Sequence, residues 1–441
     1  MSAAEELFGV SALAAEAASP STLVSKGARE ASANDASLLR LPEPANDPDI
    51  GTAIARGAAG KGDVVGFARY HPDFLGETAR RIGLSPHPDV SQLVVQHLYP
   101  DTLRLLLLLH RYVPIARVIS IGYSGSVDVI ASLRAEGIKV LTPAWSELQR
   151  TVEESIDELL TRAERDDTRL MIHEVGGYAV RALHERHAHR AARVVGAVEI
   201  TKQGVWAAQS LPELLIPQLN VAETHLKEVE GGEVGEAVVS ALDNILREIG
   251  YSMAGRRALV NGYGWVGSGT ARSLRKRGAI VSVSDTDPLK LVAASVEGFG
   301  LSRNALESEA PTIVIGASGR RSVDERLIAS LPDRCFIASG ASKDHEIDVA
   351  CLERLAVAPP ERVHAHIDAW TLADGRTLFL VNGGYPVNFT SASVPDEIVE
   401  FLFAGLIMCV QDLLEGGAVP GTSPLAAARE RIAAEVWLDL R

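Results

Sequence analysis

The sequence predicts an α/β fold with two Rossmann-like domains, each built on a doubly wound, mostly parallel sheet. Three observations indicate this class. Short strands rich in β-branched residues alternate with amphipathic helices over residues 117–143 and again over 257–342. A glycine turn joins a strand to a helix at residues 262–267, deep inside the chain. The length of 441 residues exceeds what one simple core needs, so two domains are expected.

The first domain is expected at residues 61–235, completed by residues 392–441. It follows residues 1–60, whose Ala, Ser, Gly and Pro content predicts a loosely ordered leader. The stretch SQLVVQHLYPDTLRLLLLLHRYV (91–113) carries dense apolar residues at helical spacing, which predicts a helix. A strand, a Gly/Ser turn, a helix and a second strand follow in residues 117–143 and form a βαβ unit.

Further strands are predicted at residues 169–175 and 193–200. The second domain is expected to be inserted at residues 236–391, with an amphipathic helix at 236–250 joining the two domains. Its strands alternate with helices, as in a doubly wound sheet, and a hairpin closes it. An apolar helix within residues 393–414 is then expected to return to the first domain.

Composition excludes several classes of partner. The formal net charge is −14, from 57 acidic and 43 basic residues, so no bulk basic surface is available to neutralise nucleic-acid phosphates. The run RLLLLLH at 104–110 is too short to cross a bilayer, and the N-terminus has no basic flank before an apolar run, so it is not a secretory signal. We therefore expect a cytoplasmic protein without nucleic-acid or membrane partners.

Metal binding is not expected either. The three cysteines are widely spaced and form no CxxC pair, which favours buried, inert thiols over a zinc site or a disulfide framework. The segment HERHAHR (184–190) places two histidines near one helix face, but its charges are typical of a solvated helix.

The glycine turn predicts a dinucleotide site. Gly262, Gly264 and Gly267 spell G-x-G-x-x-G directly after an apolar strand and directly before a helix, which is the context that this motif requires. The helix N-terminus would face the cofactor's diphosphate. Asp285 ends the next strand, where a carboxylate accepts from both ribose hydroxyls and repels a 2′-phosphate. The predicted cofactor is therefore NAD.

The predicted cofactor set extends beyond the motif glycines. It includes the turn residues and small residues in the next two strand segments: Tyr263, Trp265, Val266, Ala317, Ser318 and Gly340.

The segment NGYGWVGSGTARSLRKRGAIVSVSDTDP resembles the cofactor segment of the S-adenosylhomocysteine hydrolase family. The segments PQLNVAETHLK, ASGASKDHEID, GGYPVNF, HEVGG and VEITKQG are similar to further segments of that family. The resemblance spans roughly residues 165–405. It implies a substrate domain before the NAD domain, a homodimer or homotetramer, and permanently bound NAD. It also implies an activity that oxidises a ribose 3′-hydroxyl, eliminates a thiol, adds water and reduces the ketone.

The resemblance also implies roles for single residues. Lys227 matches the lysine that assists removal of the hydroxyl proton, and Asn388 matches the asparagine at the nicotinamide carboxamide. Asp285 matches the acid on the cofactor ribose. The resemblance therefore implies that the residues for hydride transfer and for NAD binding are present.

The departures from the family pattern concern its acid–base groups. The second acid of each of two acidic pairs is replaced, by Val175 after Glu174 and by Ile200 after Glu199. The family's Asp-Asn pair falls on glycines at 231–232. The early His-x-Thr-x-Glu substrate motif finds no match, and the histidine of the ASGASK segment is Ala341, with His345 four residues later.

The residues left for chemistry each carry an alternative. Lys227 is the leading proton-transfer group at the domain junction, against a solvated lysine on an acidic helix. His225 could share that role or lie on the surface. Glu174 and Glu199 could accept from substrate hydroxyls, abstract a C–H proton, or line a polar rim. Lys202 could bind an anion on the substrate.

These observations lead to one functional hypothesis and two alternatives. The first is an NAD-dependent enzyme that oxidises a secondary alcohol of a small nucleoside- or sugar-like substrate, as a net oxidation or as the transient step of an elimination or epimerisation. The alternatives are adenosylhomocysteine hydrolysis itself and a catalytically silent NAD-binding regulator.

Overall fold

The computed structural model describes residues 72–302, 310–341, 346–391 and 393–441. The predicted leader at 1–60 and His345 lie outside the described residues. The described chain forms two sheets with helices on both faces, which confirms the predicted α/β class.

The first sheet has seven strands, all paired in parallel, in the order β15-β6-β5-β4-β1-β2-β3. Counted from β3, six of its strands run 3-2-1-4-5-6, the Rossmann order. The strands are β1 Val90–Leu98, β2 Ile115–Gly125, β3 Val140–Leu141, β4 Arg169–Glu174, β5 Val194–Glu199, β6 Pro217–Asn220 and β15 Gly421–Pro424.

The second sheet has eight strands in the order β12-β13-β14-β11-β10-β7-β8-β9. Its parallel part again follows the Rossmann order, with β7 as the first strand and β14 as the sixth. β12, β13 and β14 form its antiparallel part. The hairpin predicted over residues 377–389 is wrong, because β14 ends at Val381 and two 3-10 helices follow it. The strands are β7 Arg257–Asn261, β8 Ile280–Ser284, β9 Gly300–Leu301, β10 Ile313–Gly316, β11 Phe336–Ser339, β12 Glu361–His364, β13 Ile367–Thr371 and β14 Thr377–Val381.

Helices cover both faces of both sheets, and no described helix is long and apolar enough to cross a membrane. The α-helices are α1 Phe74–Arg81, α2 Pro100–Tyr112, α3 Val127–Ala135, α4 Leu148–Arg165, α5 Tyr178–Arg186, α6 Lys202–Gln209, α7 His225–Glu248, α8 Trp265–Lys276, α9 Pro288–Val296, α10 Glu325–Ser330, α11 Val349–Leu355, α12 Asp396–Glu415 and α13 Ala427–Asp439. Short 3-10 helices lie at Trp145–Glu147, Ala188–Arg193, Asn382–Gly384 and Val387–Thr390.

The C-terminal segment joins the first sheet. Helix α12 packs in the same core cluster as residues of β4 and β5, and β15 pairs with β6 as the last strand. The second sheet is therefore formed by residues that lie between β6 and β15 of the first sheet. The domain boundaries proposed from the sequence stay a prediction.

Two predicted helices were placed wrongly. Residues 91–98 form the buried strand β1, because a strand covered on both faces is apolar throughout and its pattern imitates a helix. Pro100 then starts α2 at a position where no backbone donor is needed. The joining helix α7 begins at His225, not at 236, because the Thr224 hydroxyl caps it by accepting from the amide of Lys227 at 3.3 Å.

The long helix α7 meets α8 through glycines. A Cβ on Gly231 would lie 2.7 Å from the Cβ of Trp265, and one on Gly235 would lie 2.4 Å from the amide nitrogen of Thr270. A Cβ on Gly269 would lie 2.5 Å from the carbonyl oxygen of Gly232. The two helices therefore approach more closely than larger side chains allow, and this contact fixes the start of α8 against the domain junction.

Candidate functional site

One cavity of about 1770 Å³ joins the C-terminal edges of the two sheets. Ligands of open α/β sheets bind where the strand order reverses, which is between β1 and β4 in the first sheet and between β7 and β10 in the second. The cavity is lined from both points, by His97 near the end of β1 and Gly176 after β4, and by Gly264 after β7 and Ser318 after β10. The two halves of the fold thus share one site.

The glycine turn has the geometry of a dinucleotide site. Gly262 adopts a φ of +99°, and a Cβ there would lie 2.7 Å from the carbonyl oxygen of Ala317. A Cβ on Gly267 would lie 1.9 Å from the carbonyl oxygen of Gly262. Helix α8 starts directly after Gly264, so its free amides face the cavity. The predicted residues Tyr263, Gly264, Trp265 and Val266 line the cavity.

Asp285 lies at the end of β8, where the sequence places a ribose-binding acid. Its carboxylate accepts from the amide of Tyr263 at 2.6 Å and from the amide of Asp287 at 2.8 Å. The side chain therefore holds the glycine turn in shape and brings negative charge to its side. Both features suit a ribose diol and disfavour a 2′-phosphate.

The remaining predicted cofactor residues also lie at the cavity. Ala317, Ser318, Gly340 and Asn388 line it. The buried Glu346 fixes the loop after β10, because its carboxylate accepts from the amides of Ser318 and Gly319. The residues present fit a bound NAD, since the turn and the helix N-terminus meet at one cavity and Asp285 binds the amide of Tyr263 in that turn.

Asn382 is an alternative to Asn388 in sequence, because Asn382 follows a Leu-Val pair at the end of β14, whereas Asn388 follows Pro386 and Val387. The amide group of Asn382 donates to the carbonyl oxygen of Pro386 at 3.3 Å. Asn388 is buried, lines the cavity and donates to the hydroxyl of Ser393 at 3.0 Å, which leaves its amide oxygen without a partner among the described residues. The structure therefore favours Asn388 for contact with a ligand.

Lys227 lies in the first turn of α7 and lines the cavity. Its ammonium group pairs with Glu230 at 2.9 Å, and the two side chains are 19% and 12% exposed. The alternative of a solvated lysine is therefore wrong. A largely buried ion pair at the junction of the two halves places a positive charge where the nucleotide turn and the first sheet meet.

His225 does not belong to this site. Its side chain is 87% exposed and lies 3.6 Å from a carboxylate oxygen of Glu430. It is the first residue of α7, and the helix turns it away from the face that carries Lys227. The prediction that His225 shares the catalytic role is wrong, and its surface alternative is confirmed.

His97, which was not predicted from the sequence, is the histidine that lies at the cavity. His97 ends β1, lines the cavity and hydrogen-bonds through Nδ1 to the hydroxyl of Ser124. Since that hydroxyl donates to the carbonyl oxygen of Ile121 at 3.2 Å, Nδ1 of His97 carries the proton and Nε2 is the unprotonated nitrogen. Burial, with a smaller contribution from the charge of Lys227, lowers the pKa of His97 to about 4.

The signal for His97 was present in the sequence. His97, Tyr99 and Asp101 form His-x-Tyr-x-Asp at the end of β1 and line the cavity. This pattern keeps the histidine of the His-x-Thr-x-Glu motif, with a longer second residue and a shorter acid. It escaped notice because residues 91–113 were interpreted as one helix.

Glu174 and Glu199 are fully buried and bind loop amides. Glu174 accepts from the amides of Ala179 at 2.6 Å and Val180 at 3.0 Å, at the start of α5. Glu199 accepts from the amide of Gly177 at 3.1 Å and from the hydroxyl of Thr201 at 2.7 Å.

These contacts correct both interpretations of the two acids. Neither the catalytic role nor the polar-rim alternative fits, because their oxygens are occupied by backbone donors beneath the cavity. Burial and the charge of Glu199 raise the pKa of Glu174 to about 8, and burial raises the pKa of Glu199 to about 7.

The neighbours of these acids do face the cavity. Val175 and Ile200, which stand where the resemblance implies catalytic acids, both line it. Aromatic rings continue this apolar wall, with Tyr123 at 5.4 Å from Trp145 and 6.0 Å from Phe389 between ring centroids. The substrate side of the cavity is thus apolar at positions where acid–base groups would be needed for thiol elimination.

Comparisons with known proteins agree with this geometry. The family profile described as "S-adenosyl-L-homocysteine hydrolase, NAD binding domain" matches residues 236–394. An adenosylhomocysteinase of Aeropyrum pernix is 31% identical over 288 residues, which is 64% of this chain and 67% of that protein. An adenosylhomocysteinase of Thermotoga maritima is 31% identical over 65% of this chain and 70% of its own length. An S-inosyl-L-homocysteine hydrolase of Methanopyrus kandleri is 29% identical over 71% of this chain and 74% of its own length.

Proposed function

This chain belongs to the S-adenosyl-L-homocysteine hydrolase family, and on that premise we propose that it is an NAD-dependent enzyme that oxidises a secondary alcohol of a nucleoside- or sugar-like substrate. The observation that carries the proposal is the asymmetry of the cavity. The cofactor side has Lys227 and the glycine turn, which Asp285 holds through the amide of Tyr263, whereas Val175 and Ile200 make the opposite wall apolar. Oxidation needs the first set of groups, and thiol elimination needs acids on that wall.

NAD, when bound, supplies a hydride acceptor. The chain's own residues must then bind the alcohol and move its proton. Lys227 sits between the two halves with Glu230 as its counterion, so its ammonium can stabilise a developing alkoxide. The unprotonated Nε2 of His97 is a neutral acceptor for the hydroxyl proton, and the low pKa of about 4 keeps it neutral at physiological pH.

The cavity wall limits the later chemistry. Removal of a C–H proton beside a ketone and protonation of a leaving thiolate both require positioned acids or bases. Val175 and Ile200 offer neither, and Glu174 and Glu199 are held by loop amides. Net oxidation, or epimerisation through a transient ketone, therefore needs fewer groups than hydrolysis does.

Adenosylhomocysteine hydrolysis itself remains the second candidate. The sequence identity to enzymes named adenosylhomocysteinase and the cavity-lining His97 both favour it. In that case His97 or Lys227 would take over the roles of the replaced acids. The two candidates share the oxidation step and differ in whether a thiol is released.

A panel of nucleosides, sugars and S-adenosylhomocysteine tests the proposal. Purified protein with bound NAD is mixed with each compound, absorbance of bound NADH is followed, and free thiol is measured in parallel. We expect NADH absorbance with at least one secondary alcohol and no thiol release from the homocysteine conjugate. Thiol release would establish hydrolysis instead, and the absence of reduction with every alcohol would favour a silent NAD-binding regulator.

A further inference from the structure

A lysine from the second domain stands beside the glycine turn. Lys290 lies in the first turn of α9, which Asp287 caps and Pro288 starts. Its Nζ lies 3.6 Å from the position that a Cβ would take on Gly264. Gly264 is the second glycine of the motif, the one that lets the backbone approach the cofactor's diphosphate. Lys290 also lines the cavity, so its charge is directed to the place where that diphosphate belongs.

A second lysine reaches the same turn from the first domain. Lys202 is the first residue of α6, after β5, and its Nζ lies 5.0 Å from the centroid of the Trp265 ring. Trp265 begins α8, the helix whose N-terminus faces the cavity. Lys202 therefore approaches the start of α8 from the first sheet, whereas Lys290 approaches Gly264 from α9.

The charges of these two lysines are not neutralised by the protein. In the described ranges no ion pair involves Lys202 or Lys290. Other cations that line the cavity pair with carboxylates: Arg181 with Glu185 at 2.7 Å, Lys227 with Glu230 at 2.9 Å, Arg272 with Glu297 at 2.8 Å, and Arg321 with Asp348 at 2.9 Å. In a chain of net charge −14, two unpaired lysines beside an anion site call for an anionic ligand.

We infer that Lys290 and Lys202 bind the diphosphate of NAD from opposite sides, one from each half of the fold. Charge-assisted hydrogen bonds to phosphate oxygens are short and strong, and they add to the amides at the start of α8. The diphosphate then bridges α6 of the first domain and α9 of the second. This inference concerns NAD binding alone and holds whether or not the bound cofactor oxidises an alcohol.

Binding of NAD, ADP and adenosine to NAD-depleted protein, measured by calorimetry, tests the inference. Loss of one charge-assisted bond in Lys290→Met or Lys202→Met should weaken NAD and ADP binding about tenfold or more. Adenosine has no phosphate, so its affinity should stay unchanged. The salt dependence of NAD binding should become weaker in both variants, because fewer charges then contact the ligand.

Lys276→Met is the matched control, because Lys276 is an exposed lysine in the last turn of α8, far from the turn at its start. It should leave all affinities as they are. Unchanged NAD affinity in Lys290→Met and Lys202→Met would overturn the inference. Equal loss of adenosine and ADP binding would overturn it too, since the lysines would then act on the ribose or the fold.

Discussion

At the scale of residues, alcohol oxidation depends on the charge of Lys227 and not on the neighbouring His225. Lys227→Met removes the ammonium group but keeps a side chain of similar length. We expect at least about a hundredfold slower reduction of bound NAD by an alcohol, because a developing alkoxide loses its stabilising charge. The rate of NADH absorbance checks this, and the nucleotide released on denaturation shows whether NAD is still held.

His225→Ala is the control for Lys227→Met, because the exposed ring of His225 lies two residues away on the same helix. Its rate should equal that of the natural protein. A normal rate in Lys227→Met would show that the lysine has no role in alcohol oxidation. A slow rate in His225→Ala would show that the histidine does have one.

The two buried glutamates make stability depend on pH. Their folded-state pKa values, about 8 for Glu174 and about 7 for Glu199, lie above those of the unfolded chain. Ionising these two carboxyl groups therefore costs more free energy in the folded state than in the unfolded chain. The stability that the neutral glutamates give to the fold is lost as pH rises through 7 to 8. Half-buried His97 and buried His173, with pKa values of about 4, act in the opposite direction but only below about pH 6.5.

We expect the free energy of unfolding to fall by about 1–3 kcal/mol between pH 6.5 and 8.5. Urea titrations across this range measure it. In Glu199→Gln one of the two buried groups can no longer ionise, so the free energy of unfolding should fall less steeply with pH. Glu185→Gln, on the exposed face of α5, should keep the pH dependence of the natural protein. A natural protein whose stability rises over this range would contradict the assignment.

At the scale of elements, the contact of α7 with α8 should tolerate one glycine substitution and not its neighbour. Gly231→Ala brings a Cβ to 2.7 Å from the Cβ of Trp265, whereas a Cβ on Gly232 meets nothing within 4 Å. We expect Gly231→Ala to lose about 1–3 kcal/mol of stability. Gly232→Ala should gain about 0.5–1 kcal/mol, because alanine favours the helix.

A double-mutant cycle with Trp265→Gly separates this clash from other effects. The combined variant Gly231→Ala/Trp265→Gly should be more stable than the sum of the single changes predicts, because the opposing Cβ is gone. Chemical denaturation measures all four proteins. Strict additivity would mean that the glycine does not serve the contact.

The elements show where sequence reasoning succeeds and fails. The segment 257–285 was predicted correctly because a short strand, three glycines and an amphipathic helix follow one another within a few residues. Strand β1 was missed because burial on both faces removes the alternation that identifies a strand. His97 was missed for the same reason, because a histidine predicted inside a helix is not expected at the C-terminal edge of a sheet, where ligands bind.

The roles of buried polar groups were also beyond the sequence. Glu174 and Glu199 end neighbouring parallel strands, a position typical of catalytic acids. Only the structure shows that backbone amides converge on them: those of Gly176 and Gly177 bind Glu199, and those of Ala179 and Val180 bind Glu174. Long-range hydrogen bonds of this kind leave no periodic signal.

At the scale of the whole molecule, NAD is expected to join the two halves of the described chain. The cleft is already bridged where the side chain of Gln203 on α6 donates to the carbonyl oxygen of Gly319 in the loop after β10. A ligand that binds only the folded state raises stability by RT ln(1 + [L]/Kd). Bound NAD should therefore stabilise both sheets.

Removal of NAD should lower the melting temperature, and its return at about a hundred times Kd should restore about 2.7 kcal/mol of stability. Calorimetric scans of depleted and reloaded protein measure this. In Asp285→Ala the same NAD concentration should restore less, because the ribose and the glycine turn both lose their carboxylate. An equal gain in Asp285→Ala would contradict its assignment as the ribose acid.

The central claim, that this family member transfers hydride from a substrate alcohol to its own bound NAD, has one most direct test. The alcohol that gives NADH absorbance is synthesised with deuterium on the carbon that bears the hydroxyl, and the nucleotide is released by denaturation and weighed by mass spectrometry. The account predicts NADH that carries one deuterium. Release of unlabelled NAD, with the labelled alcohol intact, would contradict it.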